Sequence, residues 1–288
     1  MAITLGPDLV TRLVSEALAE DRADADATTD ALVAPGQQGR GAIVAKAPGV
    51  IAGLAFAQSA FRQMDAGIAW RPTTADGESV SPGDLVATVD GSLGALLRAE
   101  RTALNFLTHL SGIATAAAAV VRLLDGTGCR LRDTRKTIPG LRLAEKYAAQ
   151  AGGAETFRTD LAAAVMIKDN HLAAVRGRGL GIPDAVRLAR EANPGLRVEV
   201  EVTSIDEAQE AIESGADELL LDNMTPAEIR PIVELAAHHD PRPRLDASGG
   251  ITAENAREYA AAGVDFISIG AITHSAPALD LSLDIETV

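Results

Sequence analysis

The chain has 288 residues, of which 47% are hydrophobic, so it can bury one large core and carry a smaller second domain. It holds 26 lysines and arginines against 40 aspartates and glutamates, a formal net charge of −14. This acidic balance argues against nonspecific binding to nucleic acid or to anionic membranes, since both require a broad cationic surface. Basic groups that bind anions must therefore be clustered.

The single cysteine, Cys129, excludes an intrachain disulfide and disfavours a cysteine-based zinc site. The N-terminus lacks a basic segment followed by an apolar core, and no run of about 18 apolar residues appears that could span a bilayer. The alanine-rich residues 114–121 are followed at once by Arg122 and predict a packed helix. We therefore expect a soluble, cytosolic protein with no membrane or nucleic-acid partner.

Residues 1–115 predict a separate α+β domain. A helical pattern covers residues 7–20, strands punctuated by glycine and proline follow through residue 90, and a second helical pattern continues through residue 109. Residues 116–275 have a different pattern of strands and helices, which predicts a catalytic domain. Residues 276–288 form a C-terminal tail that could belong to the first domain.

The second region alternates short apolar runs with amphipathic helical patterns, which is typical of parallel β/α units. Six or seven such units predict a closed or nearly closed α/β barrel, with its active site at the C-terminal strand ends. A doubly wound open sheet is the alternative, but its glycine-rich dinucleotide-binding turn is missing. The expected strands lie at residues 131–133, 164–168, 198–202, 218–222, 244–248 and 266–270, and the expected helices at 182–192, 205–214, 226–237 and 253–262.

Two adjacent cations, Arg135 and Lys136, follow the first barrel strand, within the segment Asp-Thr-Arg-Lys-Thr-Ile-Pro-Gly at residues 133–140. A guanidinium fork beside a compact ammonium suits recognition of carboxylate plus phosphate. Lys168 follows the second strand. It could alternatively form a Schiff base, as barrel lysines in aldolases do, but this explains neither the cation pair nor the glycine-containing turns described below.

Carboxylates lie on the next two strands. Glu199 and Glu201 alternate with valines, so both share one face of the third strand, and the fourth strand ends at Asp222. Glu201 and Asp222 would lie on neighbouring strands, where their oxygens could hold Mg²⁺ or accept hydrogen bonds from sugar hydroxyls. The structural alternative is a layer of salt bridges with Lys168.

Glycine-containing turns end the last two strands. Ser248, Gly249 and Gly250 follow the fifth strand, and residues 270–275, which include Gly270 and His274, follow the sixth. Glycine lets the backbone approach an anion closely, and the N–H groups at a helix start favour one. Paired phosphate loops after the last strands are a recurrent barrel arrangement. His274 either donates to phosphate or forms a structural hydrogen bond.

Several segments, taken together and in order, resemble the quinolinate phosphoribosyltransferase family, the carboxylating nicotinate-nucleotide pyrophosphorylases. The resemblance implies a type II phosphoribosyltransferase, with an α+β domain on an incomplete TIM-like α/β barrel. It implies an enzyme of NAD biosynthesis that converts quinolinate and phosphoribosyl pyrophosphate to nicotinate mononucleotide, pyrophosphate and CO₂. Mg²⁺ is the implied cofactor, and a homodimer or higher even oligomer the implied assembly. The segments are residues 100–105, 111–115, 133–137, 145–148, 167–171 and 248–250.

The resemblance also implies a role for each matching residue. The arginine that matches Arg101 reaches into the partner subunit's active site, and Lys136, Lys168, Glu201 and Asp222 are expected to serve catalysis. The implied substrate contacts are Arg135, Lys136, Arg158 and Lys168 for the dicarboxylate and pyrophosphate, Glu201 and Asp222 for ribose and metal, and Ser248, Gly249, Gly250, Gly270 and His274 for the 5′-phosphate.

One position departs from the family pattern. Where the family reads Gly-Gly-Gly-x-Asn-His-Arg, residues 152–158 read Gly-Gly-Ala-Glu-Thr-Phe-Arg, so Phe157 replaces a histidine that helps to bind a quinolinate carboxylate. Losing such a donor removes on the order of 1.5–3 kcal/mol. Either the remaining cations, Arg158 among them, compensate, or the protein is a paralogue for another pyridine or aromatic acid on which Phe157 stacks. A silent nucleotide-binding homologue is a third hypothesis, against which the retained Lys136, Glu201 and Asp222 argue.

Overall fold

The computed structural model describes residues 3–288. The chain divides into two compact units. The N-terminal unit comprises residues 3–118, 138–153 and 275–288, and the barrel unit comprises residues 119–137 and 154–274.

Residues 3–288 fold into the following helices and strands, in chain order. The first part of the chain holds α1 (Pro7–Glu20), a 3₁₀ turn (Ala23–Ala25), α2 (Ala27–Leu32), β1 (Gln38–Ala45), β2 (Gly49–Val50), α3 (Leu54–Met64), β3 (Ala69–Pro72), β4 (Ser79–Val80), β5 (Leu85–Ser92) and α4 (Leu93–Leu124). The second part holds β6 (Arg130–Arg132), α5 (Arg142–Ala151), β7 (Val165–Ile167), α6 (Asp169–Arg176), α7 (Ile182–Ala192), β8 (Val198–Val202), α8 (Ile205–Glu213), β9 (Glu218–Asp222), α9 (Pro226–Ala237), β10 (Arg244–Ser248), α10 (Ala256–Ala261), β11 (Phe266–Ser268), α11 (Ala271–His274) and β12 (Leu281–Thr287).

The N-terminal unit is built on an antiparallel sheet of order β12-β1-β5-β3. Every second residue of β1 is buried, which is the alternation expected of a strand with one face on a core. The C-terminal strand β12 pairs along the whole of β1, from Gly39 opposite Thr287 to Ala45 opposite Leu281. The tail is thus a structural strand of this sheet, and α5 also belongs to this unit.

Helix α4 runs for 32 residues without a break, whereas the sequence indicated two separate helical segments. Its apolar stretch Leu93–Leu123 has the length and composition to cross a bilayer, but half of the 18-residue window that meets this test is buried inside the protein. Ser111 and Thr115 accept hydrogen bonds from the backbone N–H groups of Ala52 and Val50, at 3.0 and 2.9 Å. The polar residues of segment 111–115 therefore hold a neighbouring chain segment against the helix.

The barrel unit contains a parallel sheet of order β6-β11-β10-β9-β8-β7. Its two edge strands, β6 and β7, do not pair with each other, so the barrel is incomplete, as predicted. All five residues of β8 are buried, as expected for a strand covered on both faces. The bounds of β8, β9, β10, α7 and α9 agree with the sequence-based prediction. The register places Asp222 opposite Ser248, which aligns the strand ends.

A short bridge protects the edge of β6. The N–H of Glu155 donates to the carbonyl of Leu131 at 2.8 Å, and the N–H of Asp133 donates to the carbonyl of Glu155 at 3.3 Å. Arg132 and Glu155 therefore pair like residues of parallel strands, although residue 155 is not part of a strand. The segment that follows, residues 156–158, is positioned by this bridge.

Candidate active site

A cavity of about 450 Å³, here called the upper cavity, lies at the C-terminal ends of the barrel strands. Glu201 is buried beside it, and Arg101 lies in the N-terminal unit. The predicted site residues that line the upper cavity are Arg135, Lys136, Phe157, Arg158, Lys168, Asp222, Ser248, Gly249, Gly250, Gly270 and His274.

The turn after β6 presents Lys136 and packs it against the turn after β11. The hydroxyl of Thr134 accepts a hydrogen bond from the N–H of Lys136 at 3.0 Å, and the hydroxyl of Thr273 donates to the Lys136 carbonyl at 2.8 Å. A Cβ atom on Gly270 would lie only 2.8 Å from the Lys136 side chain and 3.3 Å from the imidazole of His274. Glycine at position 270 therefore lets a lysine and a histidine approach the same turn.

Arg158 and Arg135 supply two guanidinium groups to the upper cavity. Burial lowers the pKa of Arg158, and the charge of Arg135 lowers it further, although the guanidinium stays protonated. The backbone of Arg158 has φ of 23°, an unusual value for a residue with a side chain. Two cations in one partly buried wall repel each other, and a bound anion would relieve that repulsion.

Lys168, Glu201 and Asp222 form the acidic side of the site. The Lys168 ammonium lies 3.2 Å from the Glu201 carboxylate, which also accepts a hydrogen bond from the N–H of Asp169 at 3.3 Å. Burial raises the pKa of Asp222, and the charge of Glu201 adds to this effect. The Asn223 amide donates to Asp222 at 2.6 Å and partly offsets it. One ammonium thus faces two carboxylates.

The backbone conformation of the turn after β10 requires glycine. Gly249 and Gly250 have φ of 89° and 64°, in the left-handed region. A Cβ atom on Gly249 would lie 2.3 Å from the Asn223 side-chain oxygen, whereas one on Gly250 would meet nothing within 4 Å. The turn therefore brings its backbone close to the Asp222–Asn223 strand end, and Gly250 leaves an open approach on the other side.

The ring of Phe157 packs against a buried arginine. The guanidinium carbon of Arg132 lies 4.5 Å from the centre of the Phe157 ring and 3.4 Å from the centre of the Phe266 ring. The guanidinium is thus sandwiched between two aromatic faces, an arrangement that stabilises a buried cation. The N–H of Phe157 donates to Asp133 at 3.2 Å. Phe157 therefore has a packing role at the wall of the upper cavity.

A layer of buried charges lies beneath the upper cavity, and of its members only Glu199 was singled out from the sequence. Arg132, Glu199, Glu218 and Asp246 have no exposed surface. Arg132 donates to Glu218 and, at 3.0 Å, to Asp246. Burial raises the pKa of Asp246 to about 6 and raises that of Glu199 well above its usual value. The signal in the sequence is that each acid lies two or four residues before a site residue on its strand, on the same inward face.

Glu199, Glu218 and Asp246 bring one carboxylate oxygen each to within 4.8 Å of one another. The Arg132 guanidinium already contacts two of these carboxylates, so a fixed cation occupies the position that a metal ion would need. The predicted metal pair lies further toward the C-terminal strand ends, Glu201 one inward position beyond Glu199 and Asp222 two beyond Glu218.

Arg101 lines a separate groove of about 510 Å³ within the N-terminal unit. Its side chain is exposed, and the acidic residues Glu16, Glu20 and Asp21 line the same groove with His109. His109 in turn lies 2.9 Å from the fully buried carboxylate of Glu145, which also accepts from the N–H of Ile138 at 3.1 Å. Arg101 is thus exposed on the surface of this unit, in a groove that also carries acidic side chains.

Two family models match the chain. The model described as the N-terminal domain of quinolinate phosphoribosyl transferase matches residues 26–111, and the model of its C-terminal domain matches residues 113–284. The human carboxylating nicotinate-nucleotide pyrophosphorylase is 41% identical over 288 residues, which cover 99% of this chain and 94% of the relative. The enzyme of the same name from Mycobacterium leprae is 39% identical, with 94% of this chain and 95% of the relative covered.

Solved structures agree over the whole length. The nicotinate-nucleotide pyrophosphorylase from Francisella tularensis has a TM-score of 0.92 at 37% identity and covers 99% of both chains. The one from Ehrlichia chaffeensis has a TM-score of 0.90 at 32% identity, with 99% of this chain and 100% of that chain covered. On these matches, and with the expected cations gathered in one barrel cavity, the chain belongs to the quinolinate phosphoribosyl transferase family.

Proposed function

We propose that this protein transfers the phosphoribosyl group of phosphoribosyl pyrophosphate to quinolinate and decarboxylates the product, giving nicotinate mononucleotide, pyrophosphate and CO₂. The supporting observation is the upper cavity, where Arg135, Lys136, Arg158 and Lys168 converge in a protein whose net charge is −14. The names of the relatives support the same reaction.

The substrates explain why the cations are concentrated. Quinolinate carries two carboxylates and the sugar donor carries several phosphate charges, so both ligands require positive charge in one place. Arg135 and Arg158 are suited to the dicarboxylate, because a guanidinium fork binds a carboxylate through two parallel hydrogen bonds. The turns at Gly249–Gly250 and at Gly270 are suited to the 5′-phosphate of the sugar.

Transfer breaks the bond between the anomeric carbon and pyrophosphate, and negative charge develops on the departing oxygen. Lys136 and Lys168 stabilise that charge as it forms, which is how preorganised cations accelerate such a step. The pyridine nitrogen of quinolinate forms the new bond to the anomeric carbon and becomes cationic. The electron pair left on the ring carbon after loss of CO₂ is therefore stabilised by the substrate itself, and a proton then takes the place of CO₂ on that carbon. The protein mainly orients the ring and excludes water.

Mg²⁺ fits the acidic side of the upper cavity. Glu201 and Asp222 offer hard oxygen ligands, and Lys168 alone does not neutralise both carboxylates. These two residues would hold the ion directly or through water. When bound, Mg²⁺ supplies positive charge to the pyrophosphate oxygens.

The direct test is turnover. The purified protein, with Mg²⁺ and phosphoribosyl pyrophosphate, should release one CO₂ for each nicotinate mononucleotide formed from quinolinate. Nicotinate, which lacks the second carboxylate, is the matched control and should be a poor acceptor. Efficient turnover of another aromatic acid, with quinolinate far slower, would contradict the proposal. A borohydride-trapped adduct at Lys168 would support the Schiff-base alternative instead.

The proposed assembly is a cytosolic homodimer, or a higher even oligomer, in which Arg101 completes the site of the partner subunit. The exposed guanidinium of Arg101 in the N-terminal unit supports this proposal. Arg101→Ala and Lys136→Ala subunits should each be inactive as pure preparations. Mixed and exchanged, they should recover about a quarter of wild-type activity, by the statistics of shared sites. No recovery in verified mixed dimers would contradict a shared site.

If the Phe157 ring were directed at the ligand, it would favour an acid other than quinolinate. The ring instead packs on the Arg132 guanidinium. Its position therefore supports the first hypothesis, in which neighbouring cations compensate for the missing histidine. Arg158, next in sequence, keeps its place in the wall of the upper cavity.

A further inference from the structure

A second and larger cavity lies at the opposite end of the barrel. It has a volume of about 1170 Å³ and is bordered by the loops that precede β7, β8, β9 and β10. Four arginines outside the proposed active site line it: Arg190, Arg197, Arg242 and Arg244. We call it the lower cavity. Of the residues assigned to the proposed active site, Phe157 and Arg158 line this cavity as well. Barrel enzymes place their chemistry at the other end, so the four other arginines have no role in the proposed reaction.

Two of these arginines are fully neutralised by their own carboxylates. Arg242 donates to both oxygens of Asp265 at 2.9 Å, and Arg190 lies 3.1 Å from Asp217. Each forms a separate pair at the rim of the lower cavity. Exposed pairs of this kind are ordinary surface salt bridges and do not indicate a ligand.

Arg197 and Arg244 differ because they share one carboxylate oxygen. Both contact the same oxygen of Glu218, at 3.4 and 3.7 Å, and these are long contacts. The other oxygen of Glu218 accepts a hydrogen bond from Arg132. Arg132 has a second buried partner in Asp246, whereas Arg197 and Arg244 share this one oxygen of Glu218. Among residues 3–288, Glu218 is the only acid within salt-bridge distance of either Arg197 or Arg244.

The groups differ in exposure. Glu218 is completely buried, whereas the side chains of Arg197 and Arg244 are each 37% exposed. Both arginines line the lower cavity, so the exposed part of each side chain is accessible from it. A guanidinium has five donors in a fixed fork, and one long contact leaves most of them available.

The spacing suits a single tetrahedral anion. Because both guanidinium groups contact one oxygen, their contacting nitrogens are at most about 7 Å apart, a distance that one phosphate group can bridge through two of its oxygens. Arginine pairs bind phosphate well, since its oxygens match the guanidinium fork. Apolar side chains, including Leu196 and Ile212, line the same cavity and reduce competition from water.

We propose that the lower cavity is a second anion site, in which Arg197 and Arg244 bind a phosphate group of a small metabolite. Glu218 is the built-in competitor: it holds the two side chains in place in the free protein, and the phosphate adds the negative charge that one carboxylate cannot supply.

The test measures the binding of inorganic pyrophosphate, as the probe, to the full-length protein by titration calorimetry without Mg²⁺. Wild type should bind two pyrophosphates per chain, one in each cavity. The Arg197→Gln/Arg244→Gln variant should keep the upper site and weaken the lower one by about tenfold or more, the loss of charge-assisted hydrogen bonds. Lys136→Ala should weaken only the upper site. Arg187→Gln, a surface arginine of α7 paired with Asp184 and Glu191, is the matched control and should bind like wild type.

A second variant separates an anion site from a purely structural ion pair. Glu218→Gln removes the competing charge but keeps the shape, so pyrophosphate should bind the lower cavity about fivefold tighter, although the free protein becomes less stable. A structural role for the arginines gives no such gain. If Glu218→Gln fails to fold, the single variants Arg197→Gln and Arg244→Gln decide by the same titration. One pyrophosphate per wild-type chain, abolished by Lys136→Ala, would overturn the proposal, whereas quinolinate turnover tests the proposed function independently.

Discussion

The two ends of the barrel use the same residue types for opposite balances of charge. In the upper cavity, burial lowers the pKa of Arg158 and the charge of Arg135 lowers it further, and the carboxylates of Glu199 and Asp160 offset this only in part, so a bound anion would add counter-charge there. At the rim of the lower cavity, Arg190 and Arg242 have their own carboxylates. An arginine at a strand end therefore indicates a substrate site only when the fold leaves its charge uncompensated.

In the buried layer between the two cavities, positive and negative charges are balanced in a third way. Arg132 is the single guanidinium enclosed among Glu218, Asp246 and Glu199, and two aromatic rings cover its faces. Here the cation is structural, because it neutralises acids that no solvent reaches. The comparison predicts that substitutions in this layer change stability, whereas those in the upper cavity change activity.

The largest effect is expected for Arg132→Met in the buried layer. Removing the guanidinium leaves Glu218 and Asp246 without their buried partner, which should cost about 3–5 kcal/mol of unfolding free energy. Urea denaturation measures it, with Arg187→Met as the surface control. A loss below about 1 kcal/mol would show that protonation of the acids replaces the arginine.

Lys136→Ala should reduce activity and leave stability nearly unchanged, the reverse of Arg132→Met. Because its ammonium stabilises charge only as pyrophosphate departs, we expect kcat to fall by about 10²–10³ while the unfolding free energy changes by less than about 0.5 kcal/mol. Steady-state kinetics and urea denaturation on the same preparation distinguish the two. An equal loss of stability would place Lys136 in the structural class.

Gly249→Ala and Gly250→Ala form a matched pair within one turn. A Cβ atom on residue 249 would collide with Asn223 and adopt an unfavourable φ, so we expect a loss of roughly 2–4 kcal/mol and weaker binding of phosphoribosyl pyrophosphate. At residue 250 only the backbone cost applies, about 1–2 kcal/mol. Thermal denaturation and the KM for the sugar donor check both. Equal effects would mean that the contact with Asn223 is unimportant.

The smallest effect is a pH dependence from Asp246. Its pKa is raised by burial from 3.8 to about 6, so between these values the folded protein binds more protons there than the unfolded chain does. The contribution of Asp246 to the unfolding free energy should therefore fall as the pH rises from 4 to 6, by on the order of 2 kcal/mol. Asp246→Asn should remove this part of the slope. An unchanged slope in the variant would assign it to another group.

The strands that the sequence predicted best are those buried on both faces. The runs Val198–Val202 and Glu218–Asp222 have few polar interruptions and clear turns on either side, so their bounds were predictable. The helix expected at residues 253–262 is shorter, Ala256–Ala261, because the side chain of Asn255 accepts a hydrogen bond from the N–H of Thr252 and holds the preceding residues in a turn.

Arg135, Lys136 and Lys168 could be predicted because they follow strands whose ends meet in any parallel barrel, whereas Arg158 follows no strand and was indicated only by the family resemblance. The position of Phe157 could not, since it depends on Arg132 and Phe266, which are distant in sequence. The buried acids were visible as inward positions, but their partner is fixed only by strand order, which places β6 beside β11. The sequence pattern shows which face of a strand each side chain points to, but not which strands lie beside it.

The bridge at Glu155 links ligand binding to solubility. It covers backbone groups of β6 at the open edge of an incomplete barrel, and the same segment carries Phe157 and Arg158 into the upper cavity. A substitution that loosens this segment would uncover a strand edge that can pair with another chain. Attempts to alter the choice of acid by changing residues 155–158 therefore risk aggregation before they change specificity, and the edge itself limits how far this loop can diverge.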